Sequence, residues 1–295
     1  MSDTLKIVRA DILGYCMGVR RAVEAAERAL LESPIRPVYT YGPLIHNPQA
    51  LERLSSVGVV TLGGEPDGIP EDFAGASVVI RAHGVPPAER RILEARHARV
   101  VDATCPRVLS SQKRARAYHE KGYAIFLAGD RNHGEIAGIA GYAPGCTVLE
   151  NRDDVERIAE WPKRAVLISQ TTIKQSEYDA IAEALSARIS ELVVLATICP
   201  ATLERQKALE ALAQRVEAII VVGGMHSANT VRLFQTARRL KPACWHIETP
   251  DEIPPDIARY SSVGITAGAS TPDEVIDAVE QALQKVYYTG KPNQS

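Results

Sequence analysis

Short runs of β-branched and other apolar residues alternate with stretches of helical periodicity along almost the whole chain. Each run is followed by a glycine-rich or polar loop, and beyond the loop apolar residues recur every three or four positions. Val19, Val23, Ala26 and Leu30 form one such stripe. This alternation predicts an α/β fold in which crossover helices flank small, mostly parallel sheets. The nine loops that follow predicted strands read GYCMG, GPLIHN, AHG, ATCP, GDRNHGE, QTT, TICP, GGMHSAN and TAGAS.

The nine loops fall into three sets of three. Each set begins with a cysteine, the second loop follows it by 30, 28 and 28 residues, and the third follows after a further 37, 38 and 43. Such regular spacing predicts three similar α/β lobes of roughly 90–100 residues. We place the lobes at residues 1–98, 99–190 and 191–285, with a C-terminal tail at 286–295. The sets are Cys16, His46 and His83; Cys105, His133 and Thr171; and Cys199, Ser227 and Ser270.

Loops of this kind lie at the carboxyl ends of parallel strands, where α/β sheets bind ligands. Cys16, Cys105 and Cys199 each stand between a predicted strand and a predicted helix. A helix N-terminus favours the thiolate, and thiolates are the ligands of iron–sulfur clusters. Three thiolates would leave one iron of a [4Fe–4S] cluster open to substrate. Zinc is the competing metal, although the chain has no closely spaced cysteine pair. Cys146 and Cys244 stand at strand entries and are interpreted as packing residues.

Hydrogen-bond donors in the other loops predict an anion-binding lining. Imidazoles, hydroxyls and an amide near helix starts can bind a di- or polyanion that must also be released. Taken singly, each histidine could be a helix cap or a core residue, and each serine could be an N-cap. The anion-binding prediction therefore depends on the whole set and not on any one residue. The set comprises His46, His83, His133, Ser227, Asn229 and Ser270. His226 is ambiguous, and the other histidines are interpreted as structural.

One acidic residue stands out among these loops. Glu135 follows His133 by two residues in the loop after a predicted strand. A carboxyl group in an enclosed pocket can act as a general acid, and Thr171 can orient it by a hydrogen bond. The alternative is that Glu135 is one of the acids that are common in the first turn of a helix.

Charge and composition argue against several classes of protein. With 34 basic and 36 acidic residues, the net charge of −2 lacks the positive excess of a dedicated nucleic-acid binder. The N-terminus shows neither a secretory signal nor a transit segment, and no stretch approaches the roughly 18 apolar residues that span a bilayer. Five cysteines without a close pair are typical of a reducing compartment. We expect a cytoplasmic protein that acts without nucleic acid or membrane.

The loop residues form a series of motifs that resembles the LytB/IspH reductases of the methylerythritol phosphate route to isoprenoids. The resemblance extends from about residue 5 to about residue 285. In order, the motifs are GYCMGVRRA, IHN, AHGV, DATCP, HGEIAG, QTT, SANT and TAGAS.

The resemblance implies an α/β fold of three pseudo-threefold-related lobes around a central [4Fe–4S] cluster, with the N-terminal strand joining the last lobe. It implies reductive dehydroxylation of 4-hydroxy-3-methylbut-2-enyl diphosphate to isopentenyl and dimethylallyl diphosphates at the open iron. Cys16, Cys105 and Cys199 would hold the cluster. Glu135, with Thr171 and His133, would deliver protons. Electrons would come from a donor such as ferredoxin or flavodoxin. The substrate would be bound by His46, His83, His133, Thr171, Ser227, Asn229 and Ser270.

Two positions depart from the family's usual pattern. Ala228 stands where many members have a second serine, and Pro200 follows Cys199 where aspartate or tyrosine is common. Both departures bear on affinity more than on chemistry. Two other functions stay open: another open-iron [4Fe–4S] enzyme, such as a dehydratase or a quinolinate-synthase-like protein, and a non-catalytic metal-binding regulator.

Overall fold

The computed structural model describes residues 5–63 and 69–289. Over these residues it contains twelve β-strands and nine α-helices. The strands are β1 (Lys6–Arg9), β2 (Val38–Tyr41), β3 (Val59–Leu62), β4 (Ser77–Ile80), β5 (Arg99–Asp102), β6 (Ala124–Ala128), β7 (Thr147–Leu149), β8 (Arg164–Ser169), β9 (Glu191–Val194), β10 (Ala218–Val222), β11 (Cys244–Ile247) and β12 (Ser262–Ala267). The helices are α1 (Met17–Glu32), α2 (Pro48–Ser56), α3 (Pro87–Ala95), α4 (Pro106–Glu120), α5 (Gly134–Ala140), α6 (Gln175–Ser186), α7 (Pro200–Ala213), α8 (Ala228–Leu240) and α9 (Asp273–Thr289).

The strands of the described residues form three four-stranded sheets in which every pair is parallel. The strand order is β3-β2-β4-β5 in the first sheet, β7-β6-β8-β9 in the second and β11-β10-β12-β1 in the third. The order is the same in each sheet when β1 is counted as the fourth strand of the third sheet: the second strand lies at one edge and the fourth at the other. In the third sheet the fourth strand is β1, from the other end of the sequence. The predicted α/β class with three parallel sheets is confirmed.

The chain divides into two compact units. One unit is drawn from residues up to Val19, His46–Glu52 and the chain from Pro200 onward, and it contains the third sheet. The other unit comprises Arg20–Ile45 and Arg53–Cys199, with the first and second sheets.

The central strands are apolar on both faces, as parallel strands covered by helices require. In β10, Ile220 and Val222 face one hydrophobic cluster while Ile219 and Val221 face another, and all four are fully buried. The strand β8 divides its residues in the same way between two clusters of the second sheet. Because both faces of these strands are buried, the strands are uninterrupted apolar segments in the sequence.

Each of the three loop cysteines immediately precedes a helix, as the sequence predicts. The helix α1 begins at Met17, α4 at Pro106 and α7 at Pro200. Proline is favoured at the first helical position because the amide hydrogen that it lacks would have no partner within the helix. Pro200, a departure from the family pattern, is thus a helix start equivalent to Pro106.

Strand count and lobe borders differ from the sequence prediction. The prediction missed β3, and it treated β7 and β11 only as strand entries at Cys146 and Cys244; all three are edge strands. The strands β5 and β9 start where the second and third lobes were placed, but they pair with β4 and β8 of the preceding sheets. Local sequence does not reveal which sheet an edge strand joins, because that choice depends on long-range pairing.

The predicted C-terminal tail overlaps the last helix. Residues 286–289 continue α9, where Tyr287 extends the buried stripe of Val279 and Leu283. Residues 290–295 lie outside the described part of the chain. Across residues 5–63 and 69–289, no helix has both the length and the apolar composition that a membrane span requires.

Candidate functional site

Each of the three loop cysteines makes an equivalent backbone hydrogen bond. The amide of Cys16 donates to the carbonyl of Ala269 at 3.0 Å, that of Cys105 to Ala82 at 2.9 Å, and that of Cys199 to Thr171 at 2.9 Å. In each case the cysteine follows the fourth strand of a sheet, and the acceptor lies in the loop after the third strand of that sheet. An equivalent hydrogen bond therefore fixes each cysteine loop. It joins that loop to the neighbouring loop that carries a predicted site residue, which is Ser270, His83 or Thr171.

These three thiols are suited to bind a metal cluster, whereas the other two cysteines are not. Cys16, Cys105 and Cys199 are half-buried, form no disulfide and lie close to helix N-termini, which favour thiolates. Burial raises the pKa of Cys146, and it raises that of Cys244 to about 12 against the opposing charge of Arg238. Cys146 packs against a core cluster of the second sheet and Cys244 against one of the third. Both therefore remain neutral packing residues.

Glu135 is buried in the first turn of α5 and both of its carboxylate oxygens are engaged by Thr171. The Thr171 amide donates to Oε1 at 2.7 Å, and the Thr171 hydroxyl contacts Oε2 at 2.7 Å. Only 2 % of Glu135 is exposed. The predicted orientation of this carboxyl group by Thr171 is therefore present. Because Thr171 also accepts the Cys199 amide, it joins the carboxyl group to a cysteine loop.

His133 caps the helix that carries Glu135. Its Nδ1 accepts the amide of Glu135 at 3.1 Å, so a neutral His133 carries its proton on Nε2. The His83 ring packs edge-on against it, with ring centroids 4.9 Å apart. The sequence placed His83 at the start of a helix, but it lies in a turn, and α3 starts only at Pro87. The turn places the His83 ring beside the cap of α5.

His46 and Ser270 lie together in the unit that contains the third sheet. The Ser270 hydroxyl donates to the backbone carbonyl of His46 at 3.1 Å. A Cβ at Gly224 would collide with the same carbonyl, so this close approach requires glycine. Asn47 is buried and accepts the amide of Ala50 at 2.9 Å, which caps α2 directly after His46. Ser270 is thus a tether of the His46 loop and not the N-cap that it would be if taken alone.

Ser227 and Asn229 occupy the start of α8. The Ser227 hydroxyl is the N-cap and accepts the amide of Thr230 at 3.4 Å, while Ala228 is the first helical residue. The Asn229 Nδ2 atom is buried and has no hydrogen-bond partner among the described residues. A buried amide without an acceptor is costly, so this atom is suited to donate to a ligand oxygen.

Two residues near Glu135 were not identified from the sequence. The Arg81 guanidinium is largely buried beside Gly134, where a Cβ would lie 2.9 Å from Nη2. Burial lowers its pKa, the nearby Glu89 carboxylate opposes that shift, and arginine stays charged at neutral pH. Gln170, fully buried, accepts the amide of Asp130 at 2.9 Å and orients the loop before His133. Arg81 adds a fixed positive charge to the predicted set of hydrogen-bond donors. The signal in the sequence was its position directly before the AHG loop.

Comparison with known proteins gives a consistent result. A family model described as LytB protein matches residues 7–284. A curated protein of Treponema denticola named 4-hydroxy-3-methylbut-2-enyl diphosphate reductase is 50% identical over 286 residues, covering 94% of this chain and 98% of the relative. A protein of the same name from Aquifex aeolicus is 38% identical, covering 95% and 96% of the two chains.

Solved structures agree with the sequence relatives. A structure of (E)-4-hydroxy-3-methyl-but-2-enyl diphosphate reductase, described as the terminal enzyme of the non-mevalonate pathway, aligns with a TM-score of 0.72 and 37% identity. It covers 96% of this chain and 100% of that chain. The E-1-hydroxy-2-methyl-but-2-enyl-4-diphosphate reductase of Plasmodium falciparum aligns with a TM-score of 0.87 and 26% identity, covering 95% and 88%.

Proposed function

This chain belongs to the LytB family, and we propose that it is a 4-hydroxy-3-methylbut-2-enyl diphosphate reductase of isoprenoid biosynthesis. The reaction breaks the allylic C–O bond of the substrate, consumes two electrons and two protons, and releases water with isopentenyl or dimethylallyl diphosphate. The observation that carries the proposal is the hydrogen bond repeated in the three cysteine loops, because it prepares three equivalent thiols and sets each beside a site residue.

Cys16, Cys105 and Cys199 would hold one [4Fe–4S] cluster. The donor set fits this group, since it consists of three thiols at helix starts that form no disulfide, each fixed by the same backbone hydrogen bond. When bound, the cluster supplies electrons and a Lewis-acidic iron without a protein ligand. A small redox protein such as ferredoxin or flavodoxin would reduce it. None of the five described cysteines forms a disulfide, which supports a cytoplasmic location.

Glu135 is the proposed proton donor, with Thr171 and His133 as its partners. Hydroxide is a poor leaving group, so the departing oxygen needs a proton to leave as water, and the reduced carbon skeleton needs another. A hydroxyl group both donates and accepts, so the 2.7 Å contact between the Thr171 hydroxyl and Glu135 Oε2 allows a proton to pass between them. The cap formed by His133 Nδ1 fixes the first turn that carries Glu135.

The diphosphate would be bound by hydrogen-bond donors of the loops that follow the strands. These donors are His46, His83, His133, Ser227, Asn229 and Ser270. The Asn229 Nδ2 atom lacks an acceptor among the described residues. His83 and His133 pack against each other, and the positive charge of Arg81 lies near Gly134. Hydrogen bonds from these donors to charged phosphate oxygens are charge-assisted and therefore strong.

Replacing His46 or His83 with alanine is expected to weaken substrate binding while the cluster content stays unchanged. Loss of one hydrogen bond to a charged group costs about 1.5–3 kcal/mol, or about ten- to a hundredfold in Kd. Calorimetric titration of the anaerobic protein with substrate measures the effect. His119→Ala is the control, because His119 is exposed near the end of α4. Unchanged Kd in both variants would show that the diphosphate binds elsewhere.

The proposed activity is tested by turnover of the purified protein. Protein reconstituted anaerobically with iron and sulfide is given dithionite, a viologen mediator and the allylic diphosphate, and products are identified by mass spectrometry. We expect isopentenyl and dimethylallyl diphosphates. A bound cluster without turnover would favour another open-iron enzyme, such as a dehydratase or a quinolinate-synthase-like protein. Failure to bind any cluster would favour a metal-binding regulator.

A further inference from the structure

Arg205 is a charged side chain in the core of the third sheet's unit. It lies in the second turn of α7 and is only 2 % exposed. Its Nη1 donates to the carbonyl of Ala267 at 2.9 Å, and its Nη2 donates to the carbonyl of Gly14 at 3.0 Å. A buried guanidinium is tolerated only where such acceptors compensate its desolvation, so these two contacts define the position of the side chain.

The two acceptors flank the contact that fixes Cys16. Gly14 lies two residues before Cys16, and Ala267 lies two residues before Ala269, which accepts the Cys16 amide at 3.0 Å. The planar fork of arginine can bind both carbonyls at once. Arg205 therefore joins the Cys16 loop to the end of β12 directly beside the backbone hydrogen bond of the cysteine.

The equivalent positions of the other two cysteine helices carry no such group. Arg205 lies six residues after Cys199, and the residues six after Cys16 and Cys105 are Ala22 and Ser111. All three positions are fully buried, with 2 %, 0 % and 1 % exposure. Of the three helices that follow the cysteines, only α7 places a long, positively charged side chain at this position.

The connectivity of the third sheet explains the difference. In the first and second sheets, the third and fourth strands are linked in sequence through α3 or α6, which keeps the two loops together. In the third sheet the fourth strand is β1, so the loops after β12 and β1 belong to opposite ends of the sequence. Bringing distant segments together costs chain entropy, which hydrogen bonds between the segments must offset.

We propose that Arg205 is a positioning residue that holds the Cys16 loop against the end of β12 and so presents the Cys16 thiol to the cluster. The role in presenting a ligand rests on the proposed function, whereas the role in holding the loop does not. Arg205 touches neither cluster nor substrate in this proposal: it acts through the backbone of Gly14.

Hydrogen exchange at single amides tests the proposal in the full-length protein purified without oxygen. Arg205→Met keeps the length of the side chain and removes both donors. We expect the Cys16 amide to exchange at least about tenfold faster than in the wild type, because one hydrogen bond to a charged group contributes at least that factor. The Cys105 amide, which donates to the carbonyl of Ala82, should keep its rate. Iron release to a chelator should accelerate in parallel.

Arg215→Met is the matched control, since Arg215 is exposed and its guanidinium lies 3.9 Å from Asp11 in the segment after β1. It should leave both exchange rates unchanged. If Arg205→Met does not fold, Arg205→Lys is used, which keeps the charge but cannot bind both carbonyls in one plane; the same selective acceleration is required of it. Equal acceleration at Cys16 and Cys105, or none at either, overturns the proposal. A wild-type protein without iron would refute the proposed function alone, because the exchange comparison still decides the role of Arg205.

Discussion

Glu135→Gln is expected to lower turnover by at least about a hundredfold, the lower end of the contribution of a general acid. The substitution keeps the shape of the side chain, and the amide oxygen can still accept a hydrogen bond from Thr171. It removes the only proton that the residue can transfer. Cluster content and substrate Kd should stay near wild-type values, because neither is assigned to this carboxyl group. Anaerobic steady-state kinetics and calorimetric titration separate the two effects.

Glu177→Gln provides a control for helix position. Glu177 is also in the first turn of a helix, α6, but it is 40 % exposed and pairs with Lys174. If Glu135 served only to complement the helix dipole, each substitution would change the free energy of unfolding by about 0.3–1 kcal/mol and leave turnover intact. Wild-type turnover in Glu135→Gln would thus assign the residue to helix stability and the proton to another group.

Serine at any one of Cys16, Cys105 and Cys199 is expected to abolish a stable cluster. Even residues that only support metal ligands change affinity by about ten- to a hundredfold, so loss of a thiolate ligand should reduce retained iron by at least about tenfold. Iron and sulfide analysis and the brown absorbance of anaerobic protein measure this. The three variants should behave alike, because the same backbone hydrogen bond fixes each loop.

Cys146→Ser and Cys244→Ser are the internal controls. Both thiols pack against hydrophobic clusters, and burial raises the pKa of each, so neither is a thiolate at neutral pH. Both variants should retain iron and sulfide at wild-type levels. Protein that binds one equivalent of zinc and no sulfide would contradict the proposed cluster and the reductase activity with it.

The repeating strand, loop and helix pattern was sufficient to predict the α/β class and the helix starts after the cysteines. Local signals carry that information, since apolar runs mark strands and Cys-Pro marks two of the helix starts. The sequence did not reveal that β5 and β9 close the preceding sheets, because edge-strand membership depends on partners far along the chain. It also missed β3, a four-residue edge strand in which Thr61 interrupts the apolar run.

The contact between Glu135 and Thr171 was predicted, and the two arginines that the prediction omitted have a feature in common. The pairing of Glu135 with Thr171 was anticipated, since short polar residues at neighbouring strand ends meet at one edge of a parallel sheet. Arg81 and Arg205 were not, because each contacts groups distant in sequence: Gly134 for Arg81, and Gly14 and Ala267 for Arg205. A basic residue in a helical or strand pattern reads as a solvated charge until its acceptors are known. The roles assigned to the site residues remain predictions that the variants above test.

The pairing of β1 with β12 determines when the third sheet can form during translation. Lys6 pairs with Ser262, which the ribosome adds 256 residues later. At about 5–20 residues per second, the N-terminal strand waits for roughly 10–50 s before its neighbour exists. The first and second sheets have all their strands by Val194, so they can fold on the nascent chain. The Cys16 loop cannot reach its final position this early, because the Cys16 amide donates to Ala269 and Arg205 links Gly14 to Ala267. Insertion of the proposed cluster would therefore follow translation of the third sheet, and a chain truncated before β12 would have two complete sheets but would lack the contacts that fix the Cys16 loop.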